Sequence, residues 1–194
     1  MDKSDRCKAL EVISDEVEKC TACSLCRNRT HTVFGEGNPE AKIVFCGEAP
    51  GQTEDETGRP FVGRAGKLLD NMIKSMELER ADVYILNICK CRPPGNRAPM
   101  PEEMDACSHF LLRQAEIIQP KVIVALGNTA LGGLTGNGSG ITRRCGEWEE
   151  MEVGVQGMKD IKLMPCFHPS ALLRNPKWKD PSWYALQKVA AECK

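Results

Sequence analysis

The chain reads as an α/β protein, a three-layer sandwich whose central, mainly parallel sheet has four strands flanked by helices. Three observations lead there. Four short apolar runs are rich in β-branched or aromatic residues, segments of helical periodicity fall between them, and each run ends on or is followed by Gly, Asn or Pro. Strands and helices that alternate in this way pair into a parallel sheet covered by helices. At 194 residues the chain has the size of one domain. It has no internal repeat and no linker, so a single domain over 1–194 is expected.

The expected strands are Lys42–Cys46, Val83–Asn87, Val122–Leu126 and Ile161–Pro165. Between them, Arg64–Met76 places Leu68, Leu69, Met72 and Ile73 at helical spacing. Pro101–Ile118 opens with proline and two glutamates, a good first turn, and gathers Met104, Cys107, Leu111 and Ile118 on one side. Asn128–Leu134 is a shorter helix, and Leu10–Lys19 and Ser182–Cys193 are helices at the ends. The Gly-rich stretch 135–160 predicts a loop and short hairpin before the last strand.

Composition narrows the class. Hydrophobic residues make up 41% and charged residues 27%, with a net charge of −1, which fits a globular protein and says nothing for or against nucleic acid. No apolar run is long enough to span a bilayer, and the charged N-terminus lacks the apolar stretch of a signal peptide. A cytoplasmic protein without a membrane partner is therefore expected. Eleven cysteines, an odd number without an export signal, argue for metal ligands or buried thiols rather than a disulfide framework. Cys46, Cys89 and Cys166 sit in or beside strand-like runs and read as small hydrophobes.

In open parallel sheets ligands bind beyond the carboxyl ends of the strands. The four runs are followed in turn by Gly47-Glu-Ala-Pro-Gly51, Asn87, Gly127-Asn128 and His168-Pro-Ser170. These segments should converge on one pocket.

Cys20-x2-Cys23 has metal-ligand spacing, and Cys91 with Cys107 offers a second, looser pair. Four thiolates suit zinc or a 4Fe–4S cluster, and the wide second pair favours the cluster. Cys26 and Cys89 leave the membership open, since Cys20-x2-Cys23-x2-Cys26 is also a ferredoxin-like run.

Several motifs occur together and in order: Cys20-Thr-Ala-Cys23, Val33-Phe-Gly-Glu-Gly37, Gly47-Glu-Ala-Pro-Gly51 with Glu54-Asp55, and Gly58-Arg-Pro-Phe-Val-Gly-Arg-Ala-Gly66. Asn87, Lys90-Cys-Arg-Pro-Pro-Gly-Asn-Arg97, Ala106-Cys107 and His168-Pro-Ser170 complete the series. From about Cys20 to the C-terminus the chain resembles family 4 uracil-DNA glycosylases, the iron–sulfur branch of their superfamily. The resemblance implies a 4Fe–4S cluster on Cys20, Cys23, Cys91 and Cys107, structural in role, with Cys26 left out.

It further implies removal of uracil from single- or double-stranded DNA in base excision repair, by a nucleoid-associated monomer with a sliding clamp as a further partner. A base inside a duplex must be flipped out to be cut. On the residues alone Phe61 is a core phenylalanine and Asn87 a turn former; the resemblance makes Phe61 the stacking platform and Asn87 the reader of the uracil edge. Gly47 and Ala49 then belong to the base pocket. His168 becomes the donor to uracil O2, as a neutral imidazole. His31 and His109 are expected to play no such part. Ala49 stands where the best-known branch of the superfamily carries a water-orienting aspartate, which leaves Glu48 or backbone carbonyls to handle the water. Glu54 and Asp55 are expected to be structural, for instance as helix caps.

DNA contacts are expected from Ser170, Leu172 and Arg174, with Leu172 or Leu173 as a wedge in the base stack. Further basic groups are Arg59 with Arg64, Lys90 with Arg92 and Arg97, Arg143 with Arg144, and Lys177 with Lys179. Rival readings are a glycosylase for another deaminated base, a non-catalytic metal-binding nucleic-acid module, and an electron carrier.

Overall fold

In the computed structural model, which describes residues 1–151 and 161–194, the four apolar runs form the parallel heart of a mixed six-stranded sheet. In chain order the strands are β1 (Glu36–Gly37), β2 (Ile43–Gly47), β3 (Tyr84–Asn87), β4 (Val122–Leu126), β5 (Glu149–Glu150) and β6 (Lys162–Cys166). Across the sheet they run β1-β3-β2-β4-β6-β5. Every residue of β2, β3 and β4 is buried, which is why these strands read as continuous apolar runs rather than alternating ones. Phe45 pairs with Ile85 on one side and Val124 on the other.

The sheet thus has six strands where four were expected. The additions are two-residue edges, β1 antiparallel to β3 and β5 antiparallel to β6. Both are short and polar, so they carry no apolar signature, and such edges are poor templates for pairing with other chains. The β1 edge depends on Gly37 at φ 138°, where a Cβ would stand 2.0 Å from the Val83 carbonyl oxygen.

The helices are α1 (Lys3–Glu18), α2 (Gln52–Thr57), α3 (Arg64–Lys74), α4 (Pro101–Ile118), α5 (Gly127–Thr135), α6 (Ile141–Arg144), α7 (Pro169–Arg174) and α8 (Lys179–Cys193). α1 starts well before the expected Leu10 because Asp2 caps it, accepting the Asp5 amide proton at 2.9 Å. α4 begins with Pro101 at its first position and stops at Gln119, which takes a left-handed conformation just before Pro120. α1 packs against α4, and Arg6 Nη1 ties the pair by donating to the Ile118 carbonyl at 2.6 Å. The described part of the expected hairpin is β5 against β6; residues 152–160 lie outside the described residues. Among the described residues, no helix is long and apolar enough to cross a membrane.

The chain leaves β2 on one side to form β3, then crosses back through α4 to form β4 on the other. The strand order reverses at β2, and a crevice opens there at the carboxyl ends. Gly47, Asn87, Gly127 and His168 all stand at this end of the sheet.

Candidate active site

A cavity of about 530 Å³ occupies that crevice, with Glu48, Ala49, Phe61, Asn87, His168 and Arg174 in its walls. Ser170 lines it as well. Gly47 lies behind two of these walls: a Cβ there would come within 2.3 Å of Asn87 Oδ1 and 2.5 Å of Phe61 Cζ. Only a residue without a side chain lets the amide and the ring approach the end of β2 this closely.

Asn87 ends β3 and is 1% exposed, yet its Oδ1 has no hydrogen-bond partner among the described residues. An unmet buried acceptor costs about 1–3 kcal/mol. A fold that keeps one in the wall of an open cavity presents a ready acceptor to whatever enters.

Phe61 sits at φ 49°, a left-handed conformation that costs an ordinary residue about 1 kcal/mol or more. The surroundings hold it there. Arg80 donates to the carbonyls of Phe61 (3.2 Å) and Pro60, while Glu54 Oε1 accepts the amide protons of Val62 at 2.9 Å and Gly63 at 2.8 Å. Gly63 is the N-cap of α3 and has no side chain for the task, so Glu54 serves as the cap from α2. Gly66 is required beneath the loop, since a Cβ there would lie 1.9 Å from the Phe61 carbonyl oxygen. Asp55 is also structural: it is buried and accepts the Thr30 amide proton at 2.9 Å.

The Phe61 ring faces the His168 ring at 5.6 Å between centroids, tilted by 35°. His168 Nδ1 accepts the Ser170 amide proton at 3.1 Å and lies 2.8 Å from the Ser170 hydroxyl. With Nδ1 engaged as an acceptor, the proton of the neutral ring sits on Nε2. Burial, reinforced by the charge of Arg174 and opposed by Glu54, pushes His168 down to about 4. The imidazole is therefore neutral near pH 7 and offers an N–H. Gly127, at φ 90°, makes room for it, because a Cβ there would press on His168 Cβ at 3.1 Å.

Other expected contacts sort by burial. Leu172 is 1% exposed, which removes it from the wedge candidates: its side chain fills the core under α7. Leu173, 42% exposed, is the leucine in the cavity wall. Lys90 is also no surface contact, being 1% exposed with Nζ donating to the Asn87 carbonyl at 2.9 Å. Arg59 is engaged by Glu36 and Arg144 by Glu149. Arg64, Arg97 and Arg174 lie in the cavity wall. His31 contacts the Asp55 carbonyl at 2.9 Å, and His109 is exposed beside Phe110, both away from the cavity. Arg80 and Glu36 carried no local sequence signal, because their partners come from distant parts of the chain.

A second, smaller cavity is lined by Cys20, Cys23, Cys26, Cys91 and Cys107. Arg29 Nη1 donates to Cys91 Sγ and the Lys90 amide to Cys107 Sγ, each at 3.3 Å, contacts that favour thiolate. Burial, reinforced by the neighbouring Cys107 and Cys23, pushes the Cys91 thiol up to about 11 against the pull of Arg29, so a metal there would displace a proton. Glu103 braces this region. It accepts from Ser24 Oγ, the Met100 amide and both terminal nitrogens of Arg97, each at 2.8 Å, and these donors hold its carboxyl down to about 2. Among the described residues, no three His, Cys, Asp or Glu side chains converge tightly enough for a single metal ion.

Fold and site together define an α/β protein whose strand-end pocket is walled by an aromatic ring, an unmet amide acceptor and a neutral imidazole. The family model of the uracil DNA glycosylase superfamily matches residues 34–188. A type-4 uracil-DNA glycosylase of Thermotoga maritima is 53% identical over 167 residues, 86% of this chain and 84% of its own. One of Archaeoglobus fulgidus is 42% identical over 190 residues, covering 96% of this chain and 94% of its own. A type-5 enzyme of Thermus thermophilus is 35% identical over a shorter stretch, 51% of this chain and 52% of its own. The chain belongs to the uracil DNA glycosylase superfamily.

Proposed function

We propose that this chain excises uracil from DNA by hydrolysing its N-glycosidic bond, leaving an abasic site for base excision repair. The observation that carries the reading is the unpartnered Asn87 Oδ1 in the cavity wall. Uracil N3–H supplies the missing donor, and the Asn87 amide donates to O4. Cytosine presents an acceptor and a donor in the reversed order and leaves buried polar groups unmet, a strong basis for discrimination.

Phe61 stacks on the base. As the C1′–N1 bond breaks, its electron pair passes to the uracil ring and negative charge grows on O2. His168 Nε2–H stabilises that charge, as preorganised donors do in such steps. Water attacks C1′, loses a proton and becomes the new hydroxyl, while the uracil anion departs and is protonated. Glu48, the carboxylate beside Ala49, orders that water. Arg64 and Arg174 meet the phosphates, and Leu173 fills the gap left by the extruded base.

Cys20, Cys23, Cys91 and Cys107 would hold a 4Fe–4S cluster, which supplies cross-linking between the N-terminal segment and α4 rather than bond cleavage. Support comes from the donor set: thiols around one cavity, with N–H groups on two of the sulfurs. The enzyme acts as a single domain and a monomer.

The test is incubation with single-stranded and duplex oligonucleotides containing one uracil, followed by alkaline cleavage of abasic sites. Strand breaks at uracil and none at cytosine or thymine are expected; an intact strand at uracil would sink the reading.

A further inference from the structure

The residue that shapes the stacking platform most directly lies outside the cavity. Arg80 precedes β3 and is absent from the cavity wall, and its side chain is 23% exposed. Its Nε donates to Glu36 Oε1 of β1 at 2.8 Å. Nη1 donates to Asp70 Oδ1 of α3 at 2.8 Å and to the Phe61 carbonyl at 3.2 Å, and Nη2 to the Pro60 carbonyl. One planar cation therefore binds two carboxylates and two successive carbonyls.

We propose that Arg80 is a positioning residue for base recognition: its guanidinium clamps the Pro60 and Phe61 carbonyls and so sets the plane of the Phe61 ring against the extruded base. The inference rests on the reading of Phe61 as the stacking platform.

Three points carry it. Phe61 holds a left-handed backbone that its own side chain does not favour, so the conformation must be imposed from outside. Glu54 fixes the amides after Phe61, while Arg80 engages the carbonyls before and at it. The carboxylates, in turn, lock the guanidinium plane: Glu36 comes from the sheet edge and Asp70 from α3, so the loop is referenced to both. Lysine has no planar fork and does not reproduce this geometry.

The test compares Arg80→Met, Arg80→Lys, Phe61→Leu and the double variant Phe61→Leu/Arg80→Met in the full chain. Single-turnover rate constants, inhibition by free uracil, affinity for abasic DNA and thermal midpoints are measured. Arg80→Met should weaken free-uracil inhibition and lower the single-turnover rate by about tenfold each, the scale of one lost base stack. Affinity for abasic DNA should change by less than about twofold, since no phosphate contact is lost. Arg80→Lys should recover part of the loss, and the double variant should be no worse than Phe61→Leu, as expected when two residues act through one element. A lower melting point with unchanged uracil inhibition in the folded enzyme would overturn the proposal, as would full additivity in the double variant. Should Arg80→Met not fold, Asp70→Asn removes one anchor and should shift uracil inhibition in the same direction; no shift refutes the clamp. Impaired Phe61→Leu beside unimpaired Arg80→Met overturns this inference alone. An unimpaired Phe61→Leu overturns the platform reading and the clamp with it.

Discussion

His168 Nδ1 accepts the backbone proton of Ser170 at 3.1 Å, a contact between neighbours two residues apart that assigns the neutral ring's single N–H to Nε2. The nucleus of the site is thus a histidine with a defined tautomer, held at a strand end by the first turn of the helix that follows it.

The first prediction is a pH profile. With His168 pushed down to about 4, the rate of uracil release should stay level from about pH 8 to about pH 5.5 and decline only towards pH 4. An acid limb centred near 6.5 would show that the ring titrates as if exposed. Stability carries the matching sign. Below its ordinary value of 6.5 the unfolded chain takes up a proton that folded His168 refuses, so stability present above 6.5 is lost progressively as pH falls towards 4. Urea midpoints of the parent and His168→Gln, measured across that window, should show a shallower acid slope in the variant.

Asn87 and Gly47 make a paired prediction. Asn87→Ala removes an unmet buried acceptor worth about 1–3 kcal/mol and some packing, so its melting point should be no lower than the parent's while uracil excision falls by about 100-fold. A large loss of stability would mean that Oδ1 is satisfied in the folded chain. Gly47→Ala places a Cβ against Asn87 Oδ1 and the Phe61 ring, and should abolish excision at a stability cost of about 1–3 kcal/mol.

The adjacent leucines should separate cleanly. Leu172→Ala empties a core position and should cost about 2–5 kcal/mol, readable in a denaturant melt. Leu173→Ala should change stability by less than about 0.5 kcal/mol. Its effect should be slower excision from duplex DNA than from single strands, where no stack needs filling.

Glu103→Ala removes the shared acceptor of Arg97, the Met100 amide and the Ser24 hydroxyl and should cost about 1–3 kcal/mol. The sign is that of a depressed carboxylate: the contribution is full above the ordinary value of 4.5 and lost as pH falls through about 2. Because Ser24 adjoins Cys23, the proposed cluster should also be lost more readily from the variant, read as less iron per chain than in the parent by elemental analysis.

The parallel strands were legible because burial on both faces leaves an unbroken apolar run, as in Val122–Leu126. The pocket was legible for the same reason: once the runs are strands, Gly47, Asn87 and His168 must share one end. The edges β1 and β5 were not, since Glu36–Gly37 and Glu149–Glu150 are held by their neighbours rather than by their own composition. The short helices α2 and α7 have too few turns to show a period. Lys90 misled because charge usually marks a surface; here a backbone carbonyl receives the ammonium inside the fold. Glu54 was foreseen as a cap, but its place in the cavity wall, and the pull of Arg80 on Pro60 and Phe61, follow from contacts between distant segments. Local patterns do not encode such contacts.

The arrangement of the site along the chain has a consequence for biosynthesis. Its walls come from β2, the Phe61 loop and β3 early on, but the imidazole arrives only after β6, whose parallel partner is β4. On the proposed roles, a ribosome-bound chain that has not yet delivered His168 has the base-reading groups without the donor for the leaving group. Such a chain should excise nothing until β6 docks beside β4, which would tie maturation to closure of the sheet.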